Sequence, residues 1–186
     1  MTCLAWDGNL LVSDGRITSG GRIVSDKCIK LHKVKNAHYG NTVMAAAGSL
    51  GLIGPWLEHI EQKGFSPIEI GIPGDEDGNV FMSAFTVTEE GQCFFHDTFG
   101  MFYEVTYPAA SGSGKPIAQF ILNNGGDALA AVKAAISYDT YCGGDILIYN
   151  WRENSFTQIP SGQALEAPER ASTAPKKPKA KGRSQP

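Results

Sequence analysis

The chain has 186 residues, an ordinary hydrophobic fraction of 42% and a formal net charge of −3. This length suits one domain with a substantial core, and no apolar run approaches the ~20 residues that span a bilayer. The N-terminus has no basic region followed by a long apolar stretch, so we expect neither a membrane segment nor a secretory signal. The four cysteines are scattered without metal-ligand spacing, which indicates reduced thiols in a cytoplasmic protein.

Strands are predicted where short apolar or alternating segments are bounded by turn residues. The first two, residues 2–6 and 9–12, flank Asp7-Gly8, which is a hairpin signal. In residues 28–34, alternation places Ile29 and Leu31 on the core-facing side and Lys30 on the opposite side. The remaining predicted strands are residues 23–24, 42–47, 80–87, 92–96, 101–107, 145–151 and 154–159.

Three helices are predicted from their N-terminal signals. Pro55 fits the first turn of a helix that ends near residue 63, Pro116 opens a helix to about residue 123, and Asp127 caps a helix to about residue 139. Residues 65–79 and 111–114 are predicted to be loops. The order of strands, helix, strands, two helices and strands predicts a layered α+β domain.

The composition changes near the end of the chain. From residue 161 onward it is rich in Ala, Pro, Lys and Ser, with six basic residues against two glutamates, so the acidic excess belongs to residues 1–160. Such a segment cannot bury enough apolar surface to stay ordered. We therefore predict one domain, residues 1–160, followed by a disordered basic tail, residues 161–186. The lysines at 176–181 have no aromatic companions, so we do not expect nucleic acid as a partner.

Thr2 follows the initiator methionine and opens the first predicted strand. We expect removal of Met1, because a small second residue suits methionine aminopeptidases. Thr2 would then carry an α-amine with a pKa of ~7.7–8.0 beside its hydroxyl. Such an amine can act as a general base, and a threonine hydroxyl needs a base to become a nucleophile. Taken alone, Thr2 is better explained as the first residue of a strand.

Further segments follow Thr2 in a fixed order: residues 13–18 (SDGRIT), 26–32 (DKCIKLH), 46–49 (AAGS), and 112–114 (GSG) with 139–144 (DTYCGG). Together they resemble the proteasome β-subunit family of N-terminal nucleophile hydrolases, and especially its bacterial HslV-like branch, across nearly all of residues 2–150. The short first helix and residues 145–149 (DILIY) are similar to the HslV-derived proteasome homologue of β-proteobacteria (BPH). The resemblance implies a four-layer αββα sandwich.

The resemblance also implies the catalytic roles of three residues. Thr2 matches the threonine that forms an acyl-enzyme, Lys30 matches the active-site lysine, and Asp14 matches the carboxylate that pairs with this lysine. A cation at Lys30 favours the deprotonated forms of its neighbours. Lys27 and Lys33 compete for the lysine role, but Lys30 fits the family pattern and the strand parity. Without the family, Asp14 is better explained as the cap of a turn before Gly15.

Three further residues match groups around the threonine. Gly48 matches the glycine whose backbone N–H stabilises the tetrahedral oxyanion. Ser113 and Asp139 match groups that hold the amine and hydroxyl of the threonine in register. Without the family, Gly48 is better explained as a helix-entry glycine and Asp139 as the end of its helix. Cys142 stands where many family members have a serine, and a thiol is a weaker hydrogen-bonding group than a hydroxyl.

The resemblance implies two more sets of residues. The pocket beside Thr2 that receives the residue before the scissile bond would be lined by Ile17, Cys28, His32, Ala46 and Leu50. No cofactor is required, but a structural monovalent cation would be held by backbone carbonyls of Gly144, Leu147 and Asn150.

The implied function is that of a threonine-type endopeptidase subunit. Identical subunits would form a stacked double ring that encloses the nucleophile and cleaves unfolded polypeptides in the cytoplasm. A ring-shaped AAA+ ATPase that unfolds substrates would be the natural partner. The alternative, motivated by Cys142 and by the acidic charge of residues 1–160, is a proteasome-like shell that binds polypeptides with weak or no catalysis.

Overall fold

The computed structural model describes residues 2–65 and 82–163. The strands are β1 (Cys3–Trp6), β2 (Leu10–Asp14), β3 (Ile17–Ser19), β4 (Arg22–Ser25), β5 (Leu31–Asn36), β6 (Gly40–Gly48), β7 (Met82–Thr88), β8 (Cys93–Asp97), β9 (Phe102–Glu104), β10 (Ala109–Gly112), β11 (Ile146–Asn150) and β12 (Ser155–Ile159). The helices are α1 (Ile53–Lys63), α2 (Lys115–Asn123) and α3 (Ala128–Tyr138), and a 3₁₀ turn, Leu50–Leu52, precedes α1. The predicted loop beyond residue 65, the start of the strand predicted from residue 80, and most of the predicted tail lie outside the described residues.

The strands form two five-stranded sheets and one separate hairpin. Sheet I has the order β10-β1-β2-β11-β12, sheet II has the order β5-β6-β7-β8-β9, and β3 pairs with β4. Neighbouring strands run antiparallel in each sheet. The fold is therefore mixed α/β, with mostly antiparallel sheets and few helices.

Strand β1 shows how sheet I divides its side chains between two cores. Successive residues of a strand point to opposite faces. Cys3 and Ala5 pack with apolar residues of α2 and α3, whereas Leu4 and Trp6 pack with residues of sheet II. All four side chains are buried, so both faces of this strand are covered.

Strand β6 divides its side chains in the same way within sheet II. Val43 and Ala45 belong to the cluster shared with sheet I, while Met44 and Ala46 pack against α1 around Trp56. Residues 43–47 are all apolar because neither face of this part of the strand meets solvent.

The three predicted helices are confirmed, with ends within two residues of those predicted. The side chain of Asp127 caps α3 by accepting a 2.7 Å hydrogen bond from the N–H of Ala130. Trp56 and Ile60 form the buried face of α1. No helix among the described residues is long and apolar enough to cross a membrane.

Three local predictions are wrong. The strand predicted over residues 101–107 is shorter, since β9 covers Phe102–Glu104. Residues 28–30 are not part of a strand, since β5 begins at Leu31; alternation therefore does not apply to them, and Ile29 is 62% exposed instead of core-facing. Residues 111–112 are not a loop but the end of β10, which pairs with β1 so that Gly112 lies opposite Cys3. This pairing joins segments distant in the sequence, and no local turn signal reports it.

Candidate active site

Thr2 lies directly before β1 and is 5% exposed. Its carbonyl oxygen accepts hydrogen bonds from the Ser113 hydroxyl, at 3.3 Å, and from the Gly114 N–H, at 3.4 Å. The next N–H, that of Cys3, donates to Oδ1 of Asp14 at 2.9 Å. The backbone around Thr2 is thus fixed on both sides by residues of the predicted site.

Lys30 and Asp14 form a buried ion pair. Nζ of Lys30 lies 2.8 Å from Oδ1 of Asp14 and donates a second hydrogen bond of 2.7 Å to the carbonyl oxygen of Arg16. The other carboxylate oxygen, Oδ2, accepts from the N–H of Gly143 at 3.0 Å. A buried charge is costly unless it is paired and hydrogen-bonded, and here both partners meet that requirement. Of the three candidate lysines, Lys30 is the one that pairs with Asp14, although it precedes β5 and strand parity does not apply to it.

A cavity of about 520 Å³ opens beside Thr2. Its lining includes Lys30 and Gly48 together with three of the five residues predicted for the pocket, Ile17, Ala46 and Leu50. The other two predicted residues, Cys28 and His32, are not part of this lining. The rest of the lining is Thr18, Ser19, Val24, Ser49, Ile53 and Met82.

Gly48 ends β6 opposite Met82 and has a φ of +129°. This backbone conformation is open to glycine and strained for residues with a Cβ. Gly48 therefore has a conformational reason to be glycine at the wall of the cavity that also contains Thr2 and Lys30.

Ser113, Cys142 and Asp139 form a chain of contacts behind Thr2. The Ser113 hydroxyl lies 3.8 Å from the Cys142 sulfur, and the Cys142 thiol donates to Oδ2 of Asp139 at 3.2 Å. Among the described residues, Asp139 is therefore connected to Thr2 by hydrogen-bonding contacts through Cys142 and Ser113, and not by a direct contact. The thiol that departs from the family pattern stands in the middle of this chain.

The cysteines around Thr2 are poorly placed to act as nucleophiles. Cys3 and Cys142 are 0% and 1% exposed, and both are free thiols, as are Cys28 and Cys93. A hydrogen bond with Cys142 and burial raise the pKa of Cys3 far above its usual range, which keeps it protonated. Cysteine chemistry at this site is accordingly disfavoured.

Arg16 is a structural residue of the site that no prediction named. Its guanidinium forms an ion pair of 2.7 Å with Asp26 and donates to the carbonyl oxygens of Thr140 and Cys142 at 3.0 and 3.1 Å. It therefore links the segment after β2 to the turn that carries Asp139 and Cys142. Both Arg16 and Asp26 fall inside the segments that carry the resemblance, which is the signal that could have identified them.

A second cavity, of about 730 Å³, also borders Thr2. It shares only Thr2, Gly48 and Ser49 with the first cavity. The rest of its lining is Ala47, Ser83, Phe85, Phe95, Met101, Tyr103, Ala109, Ala110, Ser111, Gly112, Ser113, Lys115 and Gln119. We call it the aromatic cleft. It was not predicted, because its walls come from strands of two different sheets.

The three backbone positions matched to a monovalent cation do not fit one ion. Leu147 and Asn150 both lie in β11, which is paired with β2 on one side and β12 on the other. Three residues along a strand cover ~10 Å, and carbonyls an odd number of residues apart point to opposite neighbouring strands. Gly144 lies outside this strand, against the backbone of Asp26. The described part of the chain also contains no group of three or more His, Cys, Asp or Glu side chains that could hold a metal.

Comparison with known proteins adds no further identification. A scan against protein-family models gives no match for this chain, and a search of the curated proteins gives no match either.

Proposed function

We propose that this chain is a threonine-type peptidase of the N-terminal nucleophile class. The observation that carries the proposal is that Thr2, Lys30 and Gly48 line one cavity while Lys30 pairs with Asp14 at 2.8 Å. In the sequence, any two of Thr2, Asp14, Lys30 and Gly48 are separated by 12 to 46 positions. No single helix or strand contains two of them, so the fold brings the alcohol, the buried cation and the glycine amide together.

The proposed reaction begins after removal of Met1 exposes the α-amine of Thr2. The amine accepts the hydroxyl proton while Oγ attacks the carbonyl carbon of the scissile peptide bond. The N–H of Gly48 stabilises the negative charge on the carbonyl oxygen; loss of one such donor costs roughly 10²–10³ in rate. The amine then returns the proton to the leaving nitrogen as the C–N bond breaks, leaving an ester on Thr2. Water hydrolyses this ester and restores the hydroxyl.

Lys30 acts in this scheme as a fixed positive charge. Its ion pair with Asp14 and its bond to the Arg16 carbonyl hold Nζ in one place. A nearby cation lowers the affinity of neighbouring groups for a proton, so it favours the neutral amine and the oxygen that attacks.

The finer fold we propose is the four-layer αββα sandwich. Three apolar clusters support it: one between α2–α3 and sheet I, one between the two sheets, and one between sheet II and α1. We further propose, from the resemblance, an HslV-like assembly of identical subunits in two stacked rings in the cytoplasm. Enclosure would protect folded proteins from an unspecific nucleophile, and a ring ATPase would supply unfolded chains.

The test of the chemistry is covalent labelling of the full chain by a peptide epoxyketone, read by intact mass and peptide mapping. This reagent requires a hydroxyl and an amine on neighbouring carbons. We expect loss of Met1 and one adduct at Thr2. Thr2→Ser should retain labelling and Thr2→Ala should lose it, while both keep a small second residue. A chain that has lost Met1 but remains unlabelled at Thr2 would falsify the proposal.

A weakly catalytic or inactive shell is the second candidate, favoured by one observation. Cys142 places a thiol between Ser113 and Asp139, with contacts of 3.8 and 3.2 Å. A thiol is a weaker hydrogen-bond donor and acceptor than a hydroxyl, so Thr2 would be activated poorly. Native mass measurement tests the ring shared by both candidates, and peptide cleavage that Thr2→Ala abolishes excludes the inactive shell.

A further inference from the structure

The aromatic cleft and the first cavity meet around two of the proposed catalytic residues, Thr2 and Gly48. Thr2, Gly48 and Ser49 line both, and every other lining residue belongs to one cavity alone. A peptide whose scissile carbonyl lies between the Thr2 hydroxyl and the Gly48 amide therefore has one cavity on each side of the cleaved bond.

The cleft has one wall made of a cross-strand row of aromatic side chains. In sheet II, Phe85 of β7 lies opposite Phe95 of β8, which lies opposite Tyr103 of β9. The ring centroids are 5.7 Å apart for the first pair and 5.2 Å apart for the second, which is stacked. Exposure rises along the row, from 1% at Phe85 to 50% at Tyr103, so the wall runs from the core to the surface.

The opposite wall leaves space for a ligand. It is formed by β10 of sheet I, where Ala109 packs toward sheet II and Ala110, on the opposite face, packs toward α2 and α3. The hydroxyls of Ser83 and Ser111 join the two sheets by a 3.0 Å hydrogen bond. Large rings on one side and the small side chains of Ala109 and Ser111 on the other leave a slot that suits a flat or long apolar side chain.

We propose that the aromatic cleft binds the substrate on the leaving-group side of the scissile bond and favours a large apolar or aromatic residue immediately after that bond. This inference rests on the proposed function, in which the first cavity takes the residue before the bond. The cleft then receives the amine portion, which leaves when the ester forms on Thr2. Substrates would be unfolded segments in which such a residue has become accessible.

The test uses two internally quenched peptides that are identical except for the residue after the cleaved bond, Phe in one and Gly in the other. For the wild-type full chain we expect kcat/KM to be roughly 10-fold higher for the Phe peptide, the scale of discrimination by an apolar pocket. Mass spectrometry of the products confirms which bond is cleaved.

Two neighbouring residues of β9 give a matched pair of variants. Tyr103 lines the cleft, whereas Phe102 does not, and both are about half exposed, at 50% and 42%. We expect Tyr103→Ala to reduce the ratio of kcat/KM between the Phe and Gly peptides severalfold, and Phe102→Ala to leave this ratio unchanged. Tyr103→Phe keeps the aromatic ring and should also leave the ratio unchanged, which provides a second test if Tyr103→Ala folds poorly.

The failure of this inference differs from failure of the proposed function. If the epoxyketone does not label wild-type Thr2, the peptidase proposal itself fails. If Thr2 is labelled but the wild-type ratio is close to one, or if Tyr103→Ala and Phe102→Ala keep equal ratios, the assignment of the cleft is overturned.

Discussion

The side chains of Lys30 and Asp14 meet at 2.8 Å and are 3% and 0% exposed. The same carboxylate oxygen accepts the N–H of Cys3, the residue after Thr2. The ion pair is thus attached to the backbone that carries the proposed nucleophile, and its loss should affect both stability and chemistry.

Removing the lysine charge tests this connection. Lys30→Met leaves the carboxylate of Asp14 buried without its cation, which typically costs about 3–5 kcal/mol of unfolding free energy. Urea unfolding should show this loss, and epoxyketone labelling of Thr2 should fall below detection. Lys35→Met, at an exposed position of β5, is the control and should change stability by less than about 1 kcal/mol.

A second variant separates stability from catalysis. In Asp14→Asn/Lys30→Met both charges are absent, so the double variant should recover part of the lost stability. It should remain unlabelled, because the cation is still missing. Labelling of Lys30→Met or of Asp14→Asn/Lys30→Met at the wild-type rate would contradict the role assigned to Lys30.

The fit of Gly112 against Thr2 gives a second prediction. Gly112 has a φ of +87°, and a Cβ there would overlap the carbonyl oxygen of Thr2 and lie 2.8 Å from its carbonyl carbon. Gly125 has a similar φ of +83°, but a Cβ there would meet nothing within 4 Å. Alanine at either position costs roughly 1–2 kcal/mol of backbone strain. Only Gly112→Ala should also displace Thr2, and a shift of about 1 Å can cost roughly 10²-fold in rate.

For each variant, the rate of epoxyketone labelling at Thr2 and the midpoint of urea unfolding are measured. Equal labelling rates in Gly112→Ala and Gly125→Ala would show that the position of Thr2 does not depend on this contact.

Local and non-local features of the chain differ in how far they could be predicted. The capped helices were predictable because Pro116 and Asp127 act on their own turns, and the two faces of β1 follow from alternation within four residues. Alternation places Ile29 on the wrong side because the strand begins two residues later. Placement of Lys30 beside Asp14 followed from the resemblance more than from local pattern.

The aromatic cleft could not be predicted, since it depends on register between segments far apart in sequence. Phe85, Phe95 and Tyr103 form a row only when β7, β8 and β9 pair in one register. The facing wall exists only because β10 pairs with β1. Alternation within a segment predicts neither the register of β7, β8 and β9 nor the pairing of β10 with β1. The contacts between Asp139 and Thr2 could not be predicted for the same reason, because they pass through Cys142 and Ser113, which lie far apart in the sequence.

Cys142 offers a prediction that distinguishes an active peptidase from a weak one. Cys142→Ser places a stronger hydrogen-bonding group between Ser113 and Asp139. A hydrogen bond improved by about 1 kcal/mol corresponds to about fivefold in rate, so the labelling rate at Thr2 should rise by this order. A rate no higher than that of the wild type would show that the thiol does not limit activation of Thr2.

The control for this substitution is Cys93→Ser. Cys93 is 2% exposed and belongs to the core between the sheets, away from the chain of contacts behind Thr2. The new hydroxyl should be left without a good partner and cost about 1–3 kcal/mol of unfolding free energy. The labelling rate should stay at the wild-type value, so an equal rate increase in both variants would point to a nonspecific effect.

The buried His96 should make the folding stability of the protein depend on pH. It is buried in β8, its Nε2 lies 2.8 Å from the Thr86 hydroxyl, and the rings of Trp56 and Phe65 lie 4.8 Å from its own. Burial lowers the pKa of His96 to about 3. The unfolded chain, with a histidine pKa of ~6.5, binds this proton at a higher pH than the folded chain does. Stability is therefore fully present above pH ~6.5 and declines as the pH falls toward 3. Burial also lowers the pKa of His32, which acts in the same direction.

The contribution of His96 should be roughly 2 kcal/mol of unfolding free energy between pH 7 and pH 5. Urea unfolding at pH 7, 6 and 5 measures it as the difference in slope between the wild type and His96→Gln, whose amide can still bond to Thr86. Carboxylates that titrate in this range affect both proteins equally and cancel in the difference. If His96→Gln loses stability with the same slope as the wild type, the buried imidazole does not stay neutral on folding. The neutral ring packed against Trp56 would then be the wrong account of this part of the core.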